Sequence, residues 1–159
     1  MMGGVRDVIT FGLVLAHVGV SGLWLGAMSY SLFVAQPRLA KLVGDDPERI
    51  EDIHRELANG NRWRVAAMIA IIWLSGAALV ALHLGAQGTG DWVLLTIKAV
   101  LLAAASTLFW WVSWRGWPMR VFALPEELPA LQARFRKVAV TMFALVATGF
   151  VLGVATSAF

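Results

Sequence analysis

Apolar residues run without a single charge over residues 8–36, and the stretches 65–84, 92–114 and 138–159 are nearly as uninterrupted. A helix needs about 20 mostly apolar residues to cross the hydrocarbon core of a bilayer. All four stretches qualify as spans. The first is longer than a crossing requires, so it tilts or projects beyond the bilayer. Between the first two spans the pattern changes. Residues 46–58 put Ile50, Ile53 and Leu57 on one helical face, with Asp46 as N-cap and Pro47 in the first turn. Glu51 stands four residues before Arg55, as an ion pair on a helix would, and Asn59-Gly60 is a stop signal. A short amphipathic helix near the membrane surface is expected here. Residues 85–91 form a short glycine-rich loop.

Small residues punctuate the spans. Gly22 and Gly26, and again Gly149 and Gly153, are spaced four apart, which lets helix backbones approach where lipid gives no hydrophobic drive for association. The predicted fold is all-α: an integral-membrane four-helix up-down bundle with a short cytoplasmic amphipathic helix between helices 1 and 2. It makes a single transmembrane domain over 1–159, with no internal repeat, second domain or low-complexity tail.

Composition agrees. Charged residues make up 14% of the chain and apolar ones 59%, against roughly 25% charged in a soluble domain. The absence of cysteine excludes disulfides, thiolate metal sites, iron–sulfur clusters and covalently attached haem. The net charge of +3 does not point to nucleic acid, because the basic residues flank the spans. The loop after the first span carries six Lys or Arg, namely Arg38, Lys41, Arg49, Arg55, Arg62 and Arg64. The loop after the third holds Arg115, Arg120, Arg134, Arg136 and Lys137, while the glycine-rich loop has none. The positive-inside rule therefore puts loops 1 and 3 in the cytoplasm and both termini outside, which suits a bacterial inner membrane. Tryptophans 63, 110, 111, 114 and 117 form an inner aromatic belt, and Trp92 marks the outer face.

The candidate chemistry sits in the outer half. His17 lies roughly 12 Å below the outer edge and Lys98 roughly 8 Å, at 1.5 Å per residue, and His83 lies near the outer boundary. An ionisable group at membrane depth marks a functional site by default. His17 reads either as a neutral imidazole hydrogen-bonded within the protein or as a ligand to haem or metal. Ser21, Trp24 and Met28 continue its face into the bundle. His83 reads as a solvated residue or as a second ligand, with Gly76 on its face making room for a flat macrocycle. Lys98 either snorkels to the headgroups, pairs an acidic cofactor edge or Asp91, or serves as a proton-transfer group. Arg38, following Pro37, anchors the headgroup region or touches an acidic cofactor edge. Met28, Met68 and Met142 fall at one depth near the inner ends of their spans. They fill gaps in the core or hold Cu(I), which soft thioethers select. His54, on the amphipathic helix, reads as solvated.

Several of these residues fall in one pattern. His17, then Trp24-Leu25-Gly26, then Pro37 resembles the first helix of the CopD-type copper-resistance membrane domain, and Leu94-Leu95-Thr96-Ile97-Lys98 resembles that family's third-helix segment. The chain is also similar to the HemJ-type haem-binding four-helix membrane proteins, in His17 with Trp24, in Pro37-Arg38-Leu39 and in Lys98. It departs from that pattern at Phe135-Arg136-Lys137-Val138, where the HemJ type has an Asn-Glu pair. The HemJ resemblance implies haem b and protoporphyrinogen oxidation. The CopD resemblance implies copper handling. Both add weight to His17 and Lys98, and less to Arg38.

Three readings follow. The leading one is a haem-b-binding redox protein with His17, and His83 as a second ligand, on the iron and Lys98 or Arg38 on its acidic edge. The second is a copper-handling transporter. The third is a non-catalytic structural subunit of a larger respiratory or photosynthetic membrane complex. The lipid bilayer is a partner in all three. A redox partner belongs to the first, and self-association through Gly149 and Gly153 is compatible with each. The residues leave open whether the protein is an enzyme.

Overall fold

A computed structural model describes residues 2–44, 46–58, 60–83 and 88–157, and no strand occurs among them. Five helices make up the fold: α1 (Gly4–Val43), α2 (Pro47–Ala58), α3 (Asn61–Leu82), α4 (Thr89–Val121) and α5 (Pro125–Thr156). All but α2 are long and apolar enough to cross a membrane, so the chain is a multi-pass membrane protein. Each of the four runs past its apolar stretch because backbone pairing continues into polar residues; α5, for example, already includes Arg134, Arg136 and Lys137. The expected ends at residue 84 and at 158–159, Asn59, and residues 85–87 of the glycine-rich loop lie outside the described residues.

Local signals set the breaks. Gly44 and Gly60 both adopt a φ of +73°, which a residue with a Cβ rarely takes, and they bracket α2. Asp46 caps α2 by accepting the Arg49 N–H at 3.0 Å. Asp91 accepts the Gly88 N–H at 2.8 Å at the start of α4. Two wide π-turns interrupt the long helices, at Ser31–Ala35 in α1 and Trp111–Gly116 in α4. Each is followed two residues on by a proline, Pro37 or Pro118. A proline ring clashes with the carbonyl four residues back and cannot donate to it. The wide turn gives that carbonyl room.

The long helices pair as two hairpins, α1 along α3 and α4 along α5, and α1 also packs on α5. The core is small. Trp24, 2% exposed, meets Ile69, Ile72 and Ala105, and Val20, Leu102, Leu145 and Val146 pack around them. Gly22 lies against the Phe150 ring and Gly149 against Leu101, whereas Gly26 and Gly153 have no such neighbour within 4 Å. Only one member of each small-residue pair is thus in use. Large apolar side chains such as Phe11, Leu15, Leu74 and Val151 point outward. That inversion is stable where the solvent is lipid and is a liability in water.

Candidate functional site

His17 projects from α1 onto α3. Its Nδ1 lies 3.0 Å from the Ile72 carbonyl oxygen and 3.0 Å from Ser75 Oγ. A carbonyl can only accept, so Nδ1 carries the proton and Nε2 presents its lone pair. Ser75, itself buried, donates to the Ile71 carbonyl at 2.6 Å. The ring rests on Gly76, where a built Cβ would stand 3.0 Å from Cε1. The room that Gly76 makes is therefore filled by the imidazole of His17. On α1 itself, Ser21 donates to the His17 carbonyl at 2.6 Å, and Trp24 continues the same face into the core.

Lys98 projects from α4 toward α5. Its Nζ donates to Thr156 Oγ1 at 3.4 Å, and Thr156 donates to the Leu152 carbonyl at 2.8 Å. His17 thus bonds across to α3 and Lys98 across to α5, each within its own hairpin.

The remaining sequence candidates lie elsewhere. His83 ends α3, exposed, with Nδ1 at 2.8 Å from the Leu79 carbonyl of its own last turn. It stands two turns beyond Gly76, about 10 Å along the axis from the His17 contact. Arg6 donates to the Leu82 carbonyl beside it. Arg38 is exposed beyond the first π-turn, roughly 30 Å along α1 from His17; one cofactor at His17 does not reach it. Met28, Met68 and Met142 all pack around the Trp24 core.

The α2 end holds a cluster that the sequence reading missed. Glu51 is 1% exposed and takes a bidentate pair from Arg120, with Nε and Nη2 each at 2.8 Å. The expected Glu51–Arg55 pair is looser, at 3.8 Å. Arg55 turns instead to the Arg120 carbonyl at 3.0 Å. His54, expected to be solvated, is half-buried, with Nδ1 3.5 Å from Arg120 Nη2. Burial and the Arg120 guanidinium hold its imidazole below the ordinary histidine value, and Glu51 opposes them in part. Leu57, on the expected apolar face, is 67% exposed. The inward face of α2 therefore carries charge, because a guanidinium from α4 is there to receive it.

Gly116 completes this end. A built Cβ would meet the Phe135 ring at 2.5 Å, and that ring lies under the Arg120 guanidinium, 5.0 Å from ring centre to carbon. Tryptophans near the α2 end join the two hairpins edge to face, Trp63 against Trp114 at 6.0 Å. Among the described residues no group of three or more His, Cys, Asp or Glu is placed to hold a metal ion. Comparison with known proteins finds no match: no family model fits the chain, and no curated protein or solved structure is similar to it.

Proposed function

We propose that this chain is an integral-membrane haem-b-binding redox protein, built as an up-down four-helix bundle, that transfers electrons or oxidises a tetrapyrrole in the HemJ manner. The observation that carries the reading is the state of His17. An imidazole in mid-span has its Nδ1 proton fixed by a backbone carbonyl, which leaves Nε2 as the ligating nitrogen. A carbonyl partner on the far ring nitrogen is the usual support of a metal-bound histidine, setting tautomer and ring orientation. The residues fit haem as a single axial ligand at His17, with the Lys98 ammonium available to an acidic edge. His83 and Arg38 are not at that place. Bound there, the haem would supply a one-electron couple, tuned by the apolar surroundings. The chain's own groups do three things: Ile72 and Ser75 orient the ring, Gly76 leaves it room on α3, and Lys98 supplies positive charge.

Orientation follows from charge. Arg62, Arg64, Arg115, Arg136 and Lys137 gather at the α2 end, so that end faces the cytoplasm of a bacterial inner membrane. An absorption spectrum of the purified protein tests the reading. A Soret band with a reducible α-band, lost in His17→Ala, supports it; a blank spectrum, or one unchanged in His17→Ala, ends it.

The clustering of Met28, Met68 and Met142 around one core favours a second reading, a CopD-like copper-handling protein. Copper in the purified protein, lost in Met68→Leu without loss of fold, would support it.

A further inference from the structure

Arg62, Trp63, Trp114 and Trp110 touch in series. The Arg62 guanidinium lies over the Trp63 ring, with Cζ 5.8 Å from the ring centre. Trp63 meets Trp114 at 6.0 Å with their planes 86° apart, and Trp114 stacks on Trp110 at 6.3 Å and 17°. All three indoles are exposed. They come from α3 and α4, so one aromatic surface crosses the seam between the two hairpins. Trp111, in the same stretch of α4, is not part of it: its ring stacks on Phe135 and carries the Arg134 guanidinium.

The charge beside these rings is uncompensated. The ion pairs of this end use Arg55 and Arg120. Among the described residues Arg62 has no carboxylate partner, and neither has Arg115, exposed and next after Trp114 in α4. Toward mid-span the exposed face of α3 continues from Trp63 through Ala67, Ala70 and Leu74 without a charge. The surface is thus cationic at one edge and apolar at the other.

An occupant has to satisfy both edges. A free phosphate meets only the arginines. A zwitterionic lipid brings a cation of its own to them. An anionic phospholipid places its phosphate against guanidinium groups, whose planar, paired donors suit that anion. Its glycerol and upper acyl chains then lie on the indoles, amphipathic rings that sit at headgroup level.

We propose that this seam is a binding site for an anionic phospholipid, with Arg62 and Arg115 on the phosphate and Trp63, Trp110 and Trp114 under the glycerol and upper acyl chains. Any basic end attracts an anionic leaflet. Here the rings also hold one another in place across two helices, so the lipid meets a preformed surface. The inference does not depend on haem at His17.

Quenching of tryptophan fluorescence by brominated lipid tests it, on the full chain in phosphatidylcholine vesicles. Phosphatidylglycerol with brominated chains, added as a minor component, should quench more than phosphatidylcholine with the same brominated chains at the same fraction. The preference should fall roughly fivefold in Arg62→Gln, the scale of one arginine at an anionic surface, and nearly vanish in Arg62→Gln/Arg115→Gln. Arg136→Gln/Lys137→Gln removes the same charge from α5, which lends no ring to the surface, and should keep most of the preference. Absence of any preference in the wild type, or an equal loss in the two double variants, overturns the proposal. Arg62 is exposed, so Arg62→Gln alone decides if the double variant does not fold; an unchanged preference there overturns it as well.

Discussion

The imidazole of His17 and the backbone of Gly76 are in direct contact, close enough that a Cβ on Gly76 would stand 3.0 Å from Cε1. Two hydrogen bonds hold the ring, so it does not swing aside like the tip of a flexible side chain. Gly76→Ala therefore overpacks the contact, at a cost of about 1–3 kcal/mol, against a helix-propensity gain of up to about 1 kcal/mol. Net destabilisation is expected. In a His17→Ala background the clash is gone and Gly76→Ala should stabilise. Unfolding measurements on the four proteins of this cycle check the change of sign; a stabilising Gly76→Ala in both backgrounds would show that the ring is not seated there.

Arg120 and Glu51 form the other fixed point. Removing one partner of a buried, hydrogen-bonded pair leaves an uncompensated charge and costs about 3–5 kcal/mol. Arg120→Met should reach that range, and Arg120→Met/Glu51→Gln should recover most of it. The measurement is unfolding in mixed micelles; a loss below about 1 kcal/mol for Arg120→Met would mean that the pair is not shielded from water.

The pH dependence follows from His54. Its folded value lies below its ordinary 6.5, so the unfolded chain takes up the proton first as pH falls. The neutral ring's contribution is intact above about 6.5 and lost as pH drops below it. Hydrogen exchange or limited proteolysis of α2 should show looser docking at acid pH. His54→Gln should flatten that dependence; an identical profile in His54→Gln would assign it to another group.

Gly116 predicts a large effect from a small change. A methyl there meets the Phe135 ring at 2.5 Å, a distance real contacts do not show. Gly116→Ala should destabilise by roughly 1–3 kcal/mol and loosen Arg120, which lies over that ring. Gly116→Ala/Phe135→Leu should relieve it. Wild-type stability in Gly116→Ala would show that the ring has room to move.

The helices were legible because lipid imposes a length and a polarity that composition reveals at once. The face running from His17 through Trp24 was legible too, since a 3.6-residue period puts both on one side. The partners of His17 were not. Ile72, Ser75 and Gly76 belong to a helix of almost uniform apolarity, whose rotation no hydrophobic pattern fixes. The Glu51–Arg120 pair was hidden for a different reason. An i,i+4 match to Arg55 already accounted for Glu51 locally, and only the packing of α2 on α4 brings in a stronger partner from 69 residues away.

The contacts named between the two hairpins, from Trp24 with Ala105 through Phe33 with Phe143 to Glu51 with Arg120, all lie between the level of Ile72 and α2. The bonds at the other end, Arg6 to Leu82 and Lys98 to Thr156, each stay within one hairpin. The α2 end is thus the rivet of the molecule, where an ion pair, two tryptophans and two phenylalanines cross from one hairpin to the other.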